Sequence, residues 1–428
     1  MKDDSGIPIP ARFAEALVDP SAYADGRIHE TWRWLRANNP LGIAQAEGFD
    51  PFWVATKHAD ILAVGRQNDL FHNGDRPTTL TGQAGDRRVR EITGGSPHLV
   101  YSLVQMDPPD HPKYRALTQA WFMPPNLKKL EERIRAIAKR TVDAMCAKPG
   151  RCDFVTDVAA GYPLHVIMEI MGVPEEDEPR MLRLTQELFG PQDPDTARAL
   201  SALSPEQLTA LIQATIEDFS SYFRRLSAER RARPREDLAT LIANAKIDGE
   251  PISDIGAMGY YIIVATAGHD TTSSSTAGAV WALAENPGEF AKVKGEPSLI
   301  PGLVDEAIRW TTPVKHFMRS ATADTQLAGR AIAKGDWLML CYASGNRDEE
   351  VFEDPDVFRV DRKPNRHLSF GYGAHLCLGQ HLAKMEMRIL FEELLPRLKS
   401  LALDGEPKLT QALFVNGPKT VPIKFALA

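Results

Sequence analysis

The ten residues Phe370-Gly371-Tyr372-Gly373-Ala374-His375-Leu376-Cys377-Leu378-Gly379 constrain this chain more than any other stretch. They set one cysteine in a glycine-rich loop directly ahead of an amphipathic segment, in which Leu378, Leu382, Met385 and Ile389 recur at helical spacing. A cysteine at the mouth of a helix meets free N–H groups and the positive end of the dipole, both of which favour its thiolate. Gly373 and Gly379 allow backbone angles closed to other residues and let a flat ligand come close. A thiolate held open on such a loop suits an axial ligand to iron. An isolated cysteine in a Gly turn is ordinarily a buried structural residue, but the spacing Phe-x-x-Gly-x-x-x-Cys-x-Gly argues against that here.

The rest of the chain supplies a large core around this loop. Its 428 residues are 43% hydrophobic and 25% charged, an ordinary globular balance. A net charge of −7 gives no footprint for nucleic acid or an anionic membrane. The start is polar and no apolar run reaches about 18 residues, so neither a signal peptide nor a membrane anchor is expected. Cys146, Cys152, Cys341 and Cys377 lack metal-finger spacing; disulfides are not expected and a reducing cytoplasm fits.

Patterning predicts short strands over 41–46 and 52–55 around the turn Gly48-Phe49-Asp50-Pro51, then a helix capped by Thr56 and running to about Gly65. Residues 72–100 are weakly periodic and predict a mobile loop region. Helical patterns resume over 126–145 and dominate to about residue 312. Strand-like pieces follow from Ala321, one of them from Gly335 to Cys341, and the stretch 346–366 reads as irregular. The prediction is a mostly α chain with minor β, an α+β fold forming one domain over 1–428, with a short polar tail at about 1–10 and no linker.

Ser253 is placed to cap a helix reaching Asn286, where Pro287 stops it. In its middle stands Ala265-Thr266-Ala267-Gly268-His269-Asp270-Thr271-Thr272-Ser273-Ser274-Ser275. Glycine and a run of hydroxyls are poor helix-interior residues, and hydroxyls there can bond the carbonyl four residues back and bend the helix. An opened turn beside Gly268 makes room for a diatomic ligand and water, with Asp270 and Thr271 supplying a carboxylate and an alcohol for proton delivery. The plainer alternative is a kinked helix that packs closely through small residues. His269 reads as a helix-face residue. Glu306 and Arg309, three apart, share a helical face.

The cysteine loop, Ala267-Gly268-His269-Asp270-Thr271 and Glu306-x-x-Arg309 together resemble the haem-thiolate monooxygenases of the cytochrome P-450 superfamily. The resemblance implies the fold of that family, a single haem domain crossed by one long central helix. It implies haem b (iron protoporphyrin IX) with Cys377 as axial thiolate, Thr271 hydrogen-bonded to dioxygen on the iron, and Asp270 gating proton entry. Glu306, Arg309 and Arg362 become a buried charge cluster that fixes the cysteine loop. His111 and Arg115 in Asp107-Pro108-Pro109-Asp110-His111-Pro112-Lys113-Tyr114-Arg115 match the segment that meets the haem propionates, and Arg319 and His375 complete that set. Ala267 lies against the cofactor by the same match.

The family's topology also implies a distal pocket from Val104, Ile263, Ala267, Val314, Phe317, Met318, Phe414 and Val415, with Lys315 and His316 as polar members. All of the first set are apolar, which suits a compact hydrocarbon-like substrate. Trp310-Thr311-Thr312-Pro313-Val314-Lys315, Phe317-Met318-Arg319, Pro364-Asn365-Arg366-His367-Leu368 and the stretch from Ile263 to Thr272 are similar to the bacterial α-terpineol-hydroxylating group. A monoterpene, a monoterpenoid alcohol and an alkylbenzene all remain open. The chain shows no flavin or nicotinamide fingerprint and no fused reductase, so its electrons are expected from a 2Fe-2S ferredoxin with a ferredoxin reductase, docking near Lys113, Arg115 and Lys384. A peroxide-driven enzyme and a non-catalytic haem carrier or sensor are the rival expectations.

Overall fold

Leu41–Ala44 (β1) and Phe52–Ala55 (β2) flank the expected turn and pair antiparallel, Leu41 opposite Ala55 and Ala44 opposite Phe52. With Phe71–His72 (β3), His316–Ala321 (β4) and Trp337–Cys341 (β5) they form a five-stranded sheet in the order β1-β2-β5-β4-β3. β5 lies in the middle and is buried along its whole length, as a strand covered on both faces must be. The two-residue period sorts its side chains. Trp337, Met339 and Cys341 join Phe52, Val54, Ile28, Trp32 and Leu35 in one core; Leu338 and Leu340 join Trp53, Ala55, Ile61, Val64 and Leu368 in another.

The computed structural model describes residues 7–189 and 205–428, so most of the polar tail expected at 1–10 lies outside the described residues. Two compact units emerge. The first holds the sheet and comprises the chain up to Leu99, Ser274–Cys377 and Leu401–Ile423. Helix Ile300–Thr311 belongs to it, and so does a long irregular stretch after Gly345. Two expectations need correction here. Helix His58–Gly65 is not capped by Thr56, whose hydroxyl donates to the Pro40 carbonyl; the buried carboxylate of Asp348 instead accepts the His58 N–H at 2.9 Å. Residues 72–100 contain an 11-residue helix, Gln83–Thr93, none of whose residues is buried. Its bulky apolar residues are only Val89 and Ile92, both half-buried and too few to show a helical period, and the Asp86–Arg90 ion pair at one-turn spacing supports the helix.

The second unit, Val100–Ser273, Leu378–Ser400 and Lys424–Ala428, is built mainly of helices. Glu131–Cys146 buries Ile134, Ile137, Ala138, Val142 and Met145, a single helical stripe that packs on helix Gln380–Leu394. The expected long helix is two. Ser253 Oγ accepts the Gly256 N–H at 3.1 Å and caps Asp254–Ala267; the chain then breaks at Gly268-His269 and resumes as Asp270–Glu285. Hydrogen bonds lengthen at the break, to 3.3 Å from Gly268 N and 3.4 Å from His269 N. Gly268 lies against Ile167 of helix Gly161–Met171, where an added Cβ would approach Cδ1 to 3.0 Å.

Candidate active site

Within the first unit the cysteine loop is shaped by backbone. The Cys377 N–H donates to the Phe370 carbonyl at 2.8 Å, and the Cys377 side chain stays exposed. Gly373 has φ +75°, and a Cβ there would lie 1.8 Å from the Gly65 carbonyl oxygen, so only glycine fits. The following helix starts at Gln380, three residues past the cysteine.

Behind the loop sits the expected charge cluster. Glu306 and Arg309 are fully buried and meet in a two-pronged pair at 2.8 and 2.7 Å. Arg362 Nε reaches both Glu306 oxygens at 3.1 Å, and the Arg359 N–H and Asn365 amide donate to the same carboxylate. Burial pushes the Glu306 carboxyl up, but the Arg309 guanidinium outweighs it and holds the group below its ordinary value. Arg309 also donates to the Asn346 carbonyl at 2.9 Å. Asn346, which the sequence did not flag, carries the connection on to Leu368 and Ser369 at the root of the cysteine loop.

Val314, Phe317, Phe414 and Val415 come together. Val314 forms a β-bridge with Val415, the Lys315 N–H donates to the Phe414 carbonyl at 2.9 Å, and the Phe317 and Phe414 rings are 5.1 Å apart. Met318 does not join them. Strand alternation turns it to the opposite face of the sheet, fully buried with Trp337 and Met339, so it is a core residue. Lys315 and His316 hold the scaffold. Lys315 Nζ donates to the Thr311 carbonyl at 2.7 Å, and burial, aided by Arg347, pushes it down to about 7. His316 Nε2 accepts the Leu80 N–H at 3.0 Å, and burial pushes it down to about 4.

Arg319 tests whether the site suits haem. Only 5% exposed, it donates to the Met318 carbonyl at 2.8 Å and interacts with the Tyr342 hydroxyl, and among the described residues no carboxylate pairs with it. A buried guanidinium without an anion is costly, and a haem propionate would supply the anion. An exposed cysteine on a glycine-shaped loop and a buried cation in want of an anion fit that cofactor. His375 lies in the same loop, half-buried.

The second unit carries the oxygen-handling candidates. Along a helix that buries Tyr260, Tyr261, Ile262, Val264, Ala265 and Thr266, Ala267 is exposed while Ile263 and Thr271 are half-buried. Ile263 and Ala267 stand one turn apart on the first helix, and Thr271 follows beyond the break, so the three make a partly open stripe beside buried neighbours. Thr271 Oγ1 donates to the Ala267 carbonyl at 2.9 Å, and Thr266 Oγ1 to the Ile262 carbonyl at 2.8 Å, the back-bonding that loosens a helix. Asp270 begins the resumed helix with its carboxylate 43% exposed. Val104 is half-buried. His111 and Arg115 share one face of helix Asp110–Gln119; burial, then the Arg115 charge, pushes His111 down to about 4. Lys113, expected as a docking cation, is ion-paired with Asp248, which weakens that patch. Glu386 was missed. It sits fully buried on the helix after the cysteine, hydrogen-bonded to Thr272, and burial pushes its carboxyl well up.

The sequence model of the family described as Cytochrome P450 matches residues 81–425. The chain belongs to the cytochrome P-450 family. It is 51% identical to "Cytochrome P450-terp" of a Pseudomonas species over 427 residues, covering 99% of this chain and 100% of that protein. A steroid C26-monooxygenase of Mycolicibacterium smegmatis is 33% identical over 414 residues, 96% of this chain and 95% of the other. The crystal structure of CYP108D1 from Novosphingobium aromaticivorans superposes with a TM-score of 0.93 at 47% identity, covering 99% of this chain and 100% of that one. The chain therefore has the P-450 fold, mostly α with minor β, and is a monooxygenase, an oxidoreductase of a haem-thiolate family with an axial cysteine ligand. Among the described residues no helix is long and apolar enough to cross a membrane.

Proposed function

We propose that this cytochrome P-450 hydroxylates a small apolar molecule, a monoterpene, monoterpenoid or alkyl-aromatic compound, using O2 and two electrons from a 2Fe-2S ferredoxin served by a ferredoxin reductase. The observation that carries this reading is the partly open stripe of Ile263, Ala267 and Thr271, two apolar positions leading across the helix break to one hydroxyl that bonds the Ala267 carbonyl. The relative named P450-terp supports the terpene class. The whole chain acts as one haem domain, and its four free cysteines support a reducing cytoplasm.

Cys377 is the residue proposed to ligate iron, with His111, Arg115, Arg319 and His375 on the propionates and Ala267 against the cofactor. Haem supplies the oxygen-activating chemistry when bound. The chain supplies position and protons: Asp270 collects a proton from water through its half-exposed carboxylate, and Thr271 Oγ1 presents one beside Ala267. Val104, Ile263, Val314, Phe317 and Phe414 provide apolar contact and few groups that would fix a polar substrate.

An optical titration of the ferric holoenzyme tests the substrate class, with α-terpineol, p-cymene, limonene, camphor, a bicyclic aromatic and a C27 sterol ketone as the panel. Near-complete conversion to the high-spin Soret position by a monoterpenoid or alkylbenzene is the expected result. Conversion by the sterol alone would replace the small-substrate reading with a steroid one. Turnover with peroxide but none with ferredoxin and reductant would replace the electron source.

A further inference from the structure

His269 stands at the helix break with each ring nitrogen close to an oxygen. Nε2 lies 2.8 Å from the Ala160 carbonyl, and Nδ1 lies 2.9 Å from Asp270 Oδ1. The ring is 3% exposed. Nδ1 meets Asp270 as an ion-pair contact without the alignment of a full hydrogen bond. Ala160 is itself specially placed, directly after a π-turn, Val155–Ala159, closed by the Ala160 N–H on the Val155 carbonyl at 2.8 Å. Such turns are uncommon and recur at functional sites.

A carbonyl accepts hydrogen bonds only, so Nε2 must carry a proton. Nδ1 lies 2.9 Å from a carboxylate oxygen, and a second proton on the ring would turn that approach of two acceptors into an attraction. Burial disfavours the charged ring, but the Asp270 carboxylate and the Ala160 carbonyl outweigh it and raise its affinity for the proton.

We propose that His269 is a positioning residue for proton delivery: its imidazole, pinned to the Ala160 carbonyl, holds Oδ1 of Asp270 and thereby fixes the first turn after the break, on which Thr271 lies. Gly268 complements it, because its missing side chain lets Ile167 close over the same break. The ring touches no reacting atom in this scheme. It sets the angle at which Asp270 exchanges its proton with water. This inference rests on the proposed proton-delivery role of Asp270 and Thr271.

Two measurements on the holoenzyme test it. The first is 15N NMR of histidine-labelled protein in the diamagnetic ferrous-carbonyl form. One ring, absent from His269→Phe, should keep both nitrogens protonated at pH 7 and lose that state in Asp270→Asn. A His269 ring with only one protonated nitrogen, unaffected by Asp270→Asn, overturns the inference whatever the activity shows. The second compares α-terpineol binding, ferredoxin-driven turnover and peroxide-driven turnover, since peroxide brings its own protons. His269→Phe should slow ferredoxin-driven turnover about tenfold, less than the roughly 10²–10⁴-fold of a group that transfers the proton itself. Binding and peroxide-driven turnover should stay within about twofold, and the effect should be non-additive with Asp270→Asn. His269→Gln, neutral but able to donate to Ala160, should fall between and serves if the phenylalanine variant is unstable. Equal loss of both turnovers marks a merely structural histidine and overturns the inference. If Asp270→Asn alone leaves ferredoxin-driven turnover intact, the reading beneath fails, independently of His269.

Discussion

The side-chain oxygen of Asn346 accepts the Leu368 N–H at 2.6 Å. Its amide donates to Thr312 Oγ1 and Ser369 Oγ, each at 2.8 Å, and its own carbonyl accepts from Arg309. One buried asparagine thus couples the Glu306–Arg309 pair to the two residues that precede Phe370. Both polar atoms of its side chain are used. Asn346→Ala should cost about 1–3 kcal/mol for each partner left unsatisfied. Chemical unfolding and the haem-to-protein ratio of purified enzyme should both register the loss; full haem content at normal stability would show that the coupling does not matter.

Removing the Glu306 charge leaves Arg309 and Arg362 buried against each other. Glu306→Gln should cost about 3–5 kcal/mol and reduce haem uptake. The effect has a pH signature. The folded Glu306 carboxyl is held below its ordinary value of 4.5, so its stabilisation is complete above that pH and is lost as pH falls through the lower folded value. The stability gap between wild type and Glu306→Gln, from denaturant titrations, should therefore be widest above pH 4.5 and close below it.

Gly373→Ala places a methyl group where the Gly65 carbonyl already stands, on backbone with φ +75°. The left-handed angle alone costs about 1–2 kcal/mol, and the overlap forces the loop to move. Haem-binding titration should show loss of affinity that exceeds the change in overall unfolding free energy, because the damage is local to the cysteine loop.

Cys377→His should give a haem protein whose ferrous-carbonyl spectrum lacks the thiolate signature and which no longer hydroxylates. Unaltered hydroxylation would remove Cys377 as the ligand.

Thr271→Ala should bind substrate normally yet divert electrons to peroxide, read as peroxide formed per reductant consumed. Its hydroxyl bonds the Ala267 carbonyl, so the alanine variant should also tighten the helix slightly and not loosen it.

What the sequence made legible was contiguous. The cysteine loop, the Asp270-Thr271 pair and the Glu306–Arg309 spacing each lie within one turn or one loop, where local chemistry suffices. The cap that Asp348 gives His58, the span from Asn346 to Leu368 and the anchor of His269 on Ala160 join residues far apart in the chain, and no local pattern announces them. Helix Gln83–Thr93 shows no pattern because its bulky apolar residues are only two, Val89 and Ile92, and neither is fully buried. Met318 is a different case: it is a neighbour of Phe317 in a strand, and the two-residue period already forbids both from facing one lining. Glu386 sits at an apolar-periodic position, where a carboxylate reads as surface until its burial is seen.

The open stripe on the broken helix behaves as a ruler. At a rise of about 1.5 Å per residue, Ala267 and Ile263 are marks spaced by about 6 Å, and Thr271 follows across the break with its hydroxyl on the Ala267 carbonyl. For a substrate lying along it as proposed, a larger residue at the first apolar mark, Ala267, should crowd the carbon nearest the hydroxyl, whereas one at the second, Ile263, should shorten the molecule accepted. The two positions would thus separate which carbon is presented from how long a substrate is accepted, and they can be altered one at a time.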